Sequence, residues 1–251
     1  MTIFALYNLK GGVGKTAAAV ALAYLSARDG ARTLIWDLDP QGAATYCFRV
    51  RADIEGGAKR LMAKRRRLRG VIRGTDIDGL DLVPADFSLR RLDIVLDARK
   101  RPRRRVTRML ELLEPDYDNV FLDCPPSMSL ASEAVFAAAD VLLVPTMPTP
   151  LSQRTLEQLA GFLERKGPQG LEVLPFYSMV DRRKALHRQT CESPDGLAYR
   201  PLSVRIPYAS AVEQTVTYRS LAPLFGRDGE AGRAFRALWE EVKQRLADRP
   251  A

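Results

Sequence analysis

Short apolar runs recur along this chain, separated by polar turns and by longer stretches rich in Ala, Leu and charged residues. Ile3–Tyr7, Thr33–Asp37, Leu80–Pro84, Val120–Asp123, Val141–Pro145, Leu171–Ser178 and Leu202–Ile206 each read as a short buried strand. Ala17–Ala27 reads as a helix on its Ala and Leu content. Strand-like runs alternating with helical ones predict an α/β fold with a mostly parallel twisted sheet and helices on both faces. No internal repeat, low-complexity linker or composition break divides the chain, so one domain is expected over residues 1–251.

Near the end, Phe235, Leu238, Trp239, Val242 and Leu246 fall at helical spacing. Such a stripe predicts a core-facing helix rather than one lying on a membrane. No apolar run is long enough to cross a bilayer, and no signal peptide is evident. Three cysteines, odd in number, suit a reducing cytoplasm and give no metal-site spacing. Cys124 reads as a small buried thiol. His187 is the only histidine and reads as a polar surface residue, so no nucleophilic triad is available.

The chemistry is concentrated between the first strand and the first helix, in Lys10-Gly11-Gly12-Val13-Gly14-Lys15-Thr16. Three glycines in four residues let the backbone curl and turn its N–H groups toward an anion. The helix that follows adds its positive end. Lys15 is placed to reach the β- and γ-phosphates of a nucleotide, and the Thr16 hydroxyl to ligate Mg²⁺. The segment fits the phosphate-loop pattern except that Leu9 stands where the first glycine belongs.

Lys10 has no part in that general pattern. The box K-G-G-x-G-K-[ST] resembles the deviant Walker A motif of the ParA/MinD family of ATPases. Asp37-Leu38-Asp39-Pro40-Gln41-Gly42 resembles the family's D-x-D-P-Q-G, and Val120–Asp123 followed by Cys124-Pro125-Pro126 resembles its Walker B strand and second switch. Looser likenesses lie at Met179-Val180-Asp181-Arg182-Arg183 and Ile206-Pro207-Tyr208. The likeness covers about Thr2 to Leu246 and implies a single-domain P-loop NTPase fold.

The resemblance further implies ATP/ADP and Mg²⁺ as ligands and a homodimer that forms with ATP. Nucleotide contacts fall to Lys10, Gly11, Gly12, Val13, Gly14, Lys15, Thr16, Ala17 and Asp123, with Met179 and Pro207 beside the adenine. Lys10, Lys15 and Asp39 are the implied catalytic set, with Lys10 crossing to the partner's phosphates and Asp39 orienting the attacking water. Asp37 would support Asp39. Thr16, Asp39 and Asp123 are the implied metal set. Two departures stand out. Ala17 occupies a position where the family carries Thr or Ser, and the Arg188–Pro201 segment is short, predicting a loop or reduced helix.

Net charge is +9 and unevenly spread. Residues 49–73 carry +8 and residues 88–108 carry +7, so the remainder is acidic at −6. The densest clusters are Arg65-Arg66-Arg67 and Arg103-Arg104-Arg105. This asymmetry predicts a polyanion partner, and the family implies nonspecific DNA. No base-reading module is evident, so contacts to the phosphate backbone are expected. Candidates in the C-terminal half are Arg182, Arg183, Lys184, Arg188, Arg205 and Arg219. The resemblance also implies a cytoplasmic, nucleoid-associated protein. It would meet a ParB-like adaptor or cargo factor that stimulates hydrolysis, and it would have no membrane anchor. A second function class stays open: a regulatory DNA- or protein-binding module with weak or incidental hydrolysis.

Overall fold

The computed structural model describes residues 1–193, 196–226 and 229–249. Eight strands among them form one sheet. They are β1 (Thr2–Leu6), β2 (Thr33–Asp37), β3 (Arg73–Gly74), β4 (Leu80–Val83), β5 (Asn119–Asp123), β6 (Val141–Thr146), β7 (Glu172–Val180) and β8 (Arg205–Pro207). The order across the sheet is β3-β4-β2-β5-β1-β6-β7-β8. Every pairing is parallel except that of β3 with β4.

Side chains alternate between two cores, as the pleat requires. Ile3 and Ala5 join one apolar cluster, and Phe4 and Leu6 the other. The first cluster is closed by the helices Leu92–Asp97, Arg105–Leu110, Leu130–Phe136 and Pro150–Lys166. The second is closed by Lys15–Arg28 and Glu230–Ala247. Cover on both faces explains why β2 and β6 are buried at every position.

The C-terminal stripe faces this core. Phe235, Leu238, Trp239 and Val242 are buried, and Leu246 packs against them half-exposed. Trp239 meets the ring of Phe4 edge-on at 5.6 Å, and Phe4 stacks on Phe121 at 4.9 Å. Among the described residues no helix is long and apolar enough to cross a membrane.

Three expectations need correction. The exposed two-residue β3 has no apolar signature. The last strand starts at Arg205 rather than Leu202, because the Glu241 carboxylate takes the N–H groups of Ser203 and Val204 at 2.7 and 3.0 Å. His187 is buried on the helix Ala185–Glu192, where its Nδ1 accepts the Asp181 N–H at 3.1 Å. Beyond that helix, Pro194 and Asp195 of the short segment lie outside the described residues.

Candidate nucleotide-binding site

Strand register assembles the site. Leu6 of β1 pairs with Asp123 of β5, and Asp37 of β2 pairs with the same Asp123. Three strands therefore end in one row. The loop after β1, the carboxylate closing β5 and the turn after β2 open on the carboxyl edge of the sheet, where open α/β folds take ligands.

Asn8 fixes the start of the loop. Its Nδ2 donates to the Pro145 carbonyl at 2.9 Å, and its Oδ1 accepts the Lys10 N–H at 2.9 Å. Asn8 has no role in the motif; its one signal in the sequence is a polar amide directly between strand and loop, and the structure buries it. Gly12 and Gly14 then take φ of +69° and +89°, a region open to glycine at little cost. Gly14 caps the helix Lys15–Arg28, and a Cβ there would stand 2.9 Å from Ser178 Oγ. The unpaired N–H groups of this helix start face the loop.

Lys15 is buried, and its Nζ donates to the Lys10 carbonyl at 3.1 Å. Burial lowers its pKa, while Asp123, Cys124 and Asp39 pull it back up. The main chain of Lys10 is thus held twice. Its side-chain ammonium makes no hydrogen bond or ion pair among the described residues.

Asp123 is fully buried, and among the described residues neither carboxylate oxygen has a hydrogen-bond partner. Burial, then the neighbouring Asp37, pushes its pKa well above the usual range, against the nearby Thr16 hydroxyl and Lys15. An orphaned carboxyl beside a hydroxyl and an ammonium fits a hydrated Mg²⁺, which keeps water and phosphate oxygens as ligands. No three His, Cys, Asp or Glu side chains among the described residues form a metal cage by themselves.

Asp37 is occupied instead. Its Oδ2 accepts the N–H and hydroxyl of Thr45 at 2.8 and 2.7 Å, and its Oδ1 accepts the Asp39 N–H at 3.2 Å. Burial raises it to about 6. It braces the turn that carries Asp39. Asp39 is half-buried, with Oδ1 accepting the Gln41 N–H at 2.9 Å and Oδ2 unpartnered among the described residues. The second switch abuts the loop. Tyr7 Oη donates to the Ser127 carbonyl at 3.1 Å, and Pro126 Cγ lies 4.0 Å from where a Cβ on Gly11 would be.

Beside the loop lies a mostly apolar cavity of about 170 Å³, lined by Gly14, Ala17, Met179, Pro207, Val212 and Phe235 among others. Met179 and Pro207, distant in sequence, meet here next to Ala17. Met179 holds φ of +55°, a costly conformation for a non-glycine residue and one that gathers at ligand sites. Ser178, Tyr208 and Glu213 also border the cavity.

The basic candidates do not share one environment. Arg182 pairs with Glu230 at 3.3 Å, Arg183 with Asp181 at 2.9 Å, and Arg103 with Glu133. Arg219 lies over the Tyr46 ring at 4.6 Å and donates to the Tyr46 carbonyl at 3.0 Å. Arg205 donates to the Cys191 carbonyl at 2.7 Å. Arg65, Arg66 and Arg104 are exposed and have no ion pair among the described residues, Arg67 reaches the Arg60 carbonyl at 3.5 Å, and Arg105 is half-buried.

Fold and loop together define a P-loop nucleotide-binding protein with a deviant Walker A lysine. Residues 1–167 match the family described as an AAA domain. Soj, the sporulation initiation inhibitor protein of Bacillus subtilis, is 34% identical over 158 residues, 62% of either chain. The chromosome partitioning protein ParA of Caulobacter vibrioides is 30% identical across 100% of this chain and 97% of its own. A cobyrinic acid a,c-diamide synthase of Mycobacterium smegmatis, solved with an ATP analogue and magnesium, superposes with a TM-score of 0.84 at 24% identity, covering 99% and 96% of the two chains. The chain belongs to the ParA/MinD family of P-loop ATPases.

Proposed function

We propose that this protein is an Mg²⁺-dependent ATPase that dimerises with ATP, binds DNA without sequence preference and partitions or positions a chromosome, plasmid or protein cargo. The observation that carries the reading is Lys10. Its backbone is fixed by Asn8 and Lys15, while its ammonium has no partner among the described residues. A rigidly based, free cation at the mouth of a phosphate loop is suited to a second protomer's phosphates.

Each remaining group has a part. The loop N–H groups and Lys15 hold the β- and γ-phosphates. Thr16 and Asp123 hold Mg²⁺, which when bound neutralises charge across those phosphates. Asp39 presents its free Oδ2 to orient the attacking water, and Asp37 fixes the turn from which it does so. Met179 and Pro207 pack the base. Nonspecific DNA contact falls to the basic surface, including Arg65, Arg66, Arg67, Arg103, Arg104, Arg105, Arg182, Arg183 and Arg219. Pairing a second protomer doubles that surface, so DNA affinity rises steeply on dimerisation. Hydrolysis removes the γ-phosphate and reopens the dimer. A ParB-like adaptor or cargo factor sets the rate, and the protein resides in the cytoplasm on the nucleoid.

The second reading, a DNA- or protein-binding module with incidental hydrolysis, is favoured by one observation. Ala17 brings a methyl to the cavity wall where a hydroxyl would reach the α-phosphate. The deciding experiment measures binding to duplex DNA by wild type and Asp39→Ala with ATP, ADP or no nucleotide, at two salt concentrations. Salt-sensitive binding that requires ATP and persists in Asp39→Ala is expected. Binding indifferent to nucleotide would transfer the protein to the second reading.

A further inference from the structure

Two helices end on the same unusual choice of residue. The helix Ala43–Cys47 closes with the Arg49 N–H on the Tyr46 carbonyl at 3.1 Å and the Val50 N–H on the Thr45 carbonyl at 3.2 Å. The helix Ser210–Tyr218 closes in the same way, with the Arg219 N–H on the Val216 carbonyl at 3.2 Å and the Ser220 N–H on the Thr215 carbonyl at 3.1 Å. Such an end calls for a left-handed residue, usually glycine. Here it is arginine both times, with φ of +59° at Arg49 and +49° at Arg219. Both arginines line one cavity of about 310 Å³, which shares no lining residue with the base cavity. Side chains held on a strained backbone gather where ligands are clamped.

Val20, Cys47, Phe48 and Thr215 give the cavity a buried floor. The rings of Tyr24 and Phe225 stack at 4.8 Å along one wall. Arg49 is engaged by Asp76, which also lines the cavity. Arg219 is only partly engaged. Its Nε donates to the Tyr46 carbonyl at 3.0 Å and its guanidinium lies over the Tyr46 ring, but neither Nη has a partner among the described residues. Arg49 and Arg219 against Asp76 leave the lining with a charge of +1. A largely apolar, partly aromatic hollow with one spare guanidinium fork fits a ligand that carries one negative charge. We infer that this cavity is a second ligand site, which takes a small aromatic or aliphatic carboxylate with its body on the apolar floor and its oxygens on the Arg219 Nη groups. A phosphate dianion would bring a second charge with no partner in the lining. The site reaches the chemistry through the helix Ala43–Cys47. Cys47 floors the cavity, Thr45 on the same helix holds Asp37 Oδ2, and Asp37 Oδ1 holds the Asp39 N–H. An occupant that draws Arg219 off the Tyr46 carbonyl loosens this helix end and, through Asp37, the turn that carries Asp39. Occupancy therefore slows hydrolysis. That coupling rests on the proposed function; the ligand site itself does not.

The test uses the full chain with excess ADP and Mg²⁺, so that nucleotide occupies the base cavity. The probe is 4-phenylbutyrate, and 4-phenylbutan-1-ol is its uncharged counterpart. In calorimetric titration the acid should bind wild type saturably at one site, about tenfold more tightly than the alcohol. Arg219→Gln should erase that preference. Ala222→Trp, on the exposed rim, should fill the hollow and weaken both probes more than tenfold, and Ala222→Leu provides a milder filling. With ATP in place of ADP, saturating acid should slow phosphate release by wild type about threefold and leave Ala222→Trp unaffected. No saturable binding to wild type, or wild-type affinity in both folded Ala222 variants, would overturn the site. Equal affinity of acid and alcohol for wild type would overturn the carboxylate assignment to Arg219. Saturable binding with unchanged phosphate release would overturn the coupling to Asp39. If wild type hydrolyses no ATP, the proposed function fails, and the titrations with ADP still decide the site.

Discussion

Lys15 Nζ donates to the main-chain carbonyl of Lys10 at 3.1 Å, so one loop lysine is held by the backbone of the other. The bond uses no side-chain atom of Lys10. Lys10→Ala therefore keeps the carbonyl, the loop conformation and the buried Lys15. Monomer nucleotide affinity should change by less than about threefold, under ~1 kcal/mol. The ATP-dependent dimer should be absent at concentrations where wild type is fully dimeric. Fluorescent-nucleotide titration and sedimentation with ATP check the two halves, and a normal ATP dimer would remove Lys10 from the interface.

Asp39 carries the hydrolytic prediction. Its main chain is held by Asp37 and by the Gly42 N–H, so Asp39→Ala deletes the free oxygen and the Gln41 bond while those two holds on the turn remain. Phosphate release should fall by roughly 10²- to 10⁴-fold, the usual contribution of a positioned base. Nucleotide binding should persist, and the DNA-bound dimer should outlive that of wild type. Steady-state hydrolysis and dissociation from immobilised duplex DNA provide the readouts. Turnover at the wild-type rate would exclude Asp39 from the chemistry.

Legibility in the sequence followed how local each signal was. Lys10 to Thr16 and Asp37 to Asp39 are contiguous, and Asp123 closes an apolar run, so residue order alone placed them at strand ends. That Asp37 and Asp123 stand in one row depends on the β2–β5 register, which no local pattern encodes. β3 was illegible because two exposed residues carry no hydropathic period. The late start of β8 reflects Glu241, 36 residues beyond Arg205, capturing two N–H groups by tertiary contact. His187 misled for a similar reason: on the helix Ala185–Glu192, its ring turns inward to serve the Asp181 N–H. The arginine clusters were visible as charge, but which arginines have carboxylate partners emerged only in the packed structure.

Gly14 should tolerate no side chain. Its φ of +89° disfavours any L-residue, and an added Cβ would stand 2.9 Å from Ser178 Oγ. Gly14→Ala is expected to lose about 1–3 kcal/mol of stability and most nucleotide affinity. Adding Ser178→Ala removes the clash but not the backbone strain, so the double variant should recover only part of the loss. Thermal melts and nucleotide titration of the three variants separate the two terms. Full recovery would mean that crowding alone, not conformation, reserves this position for glycine.

Asp29 supplies the pH prediction. At the end of the first helix it accepts Trp239 Nε1–H at 2.9 Å and Lys243 Nζ at 2.7 Å, tying that helix to the last one. Partial burial works against its charge, but the Lys243 and Trp239 bonds outweigh it and hold its pKa below the usual carboxylate value. A depressed folded-state pKa means the stabilisation is complete above the unfolded value, about 3.9, and disappears as pH falls through the folded one. Because the carboxylate is partly exposed, solvent screens the ion pair, and the hydrogen bonds dominate. Asp29→Asn should cost about 1–2 kcal/mol at neutral pH, chiefly through Lys243, since an amide oxygen can still accept from Trp239. The difference from wild type should shrink below about pH 4. Denaturant melts at pH 7, 4 and 3 provide the test, and a difference independent of pH would show that the Asp29 charge contributes nothing to joining the two helices.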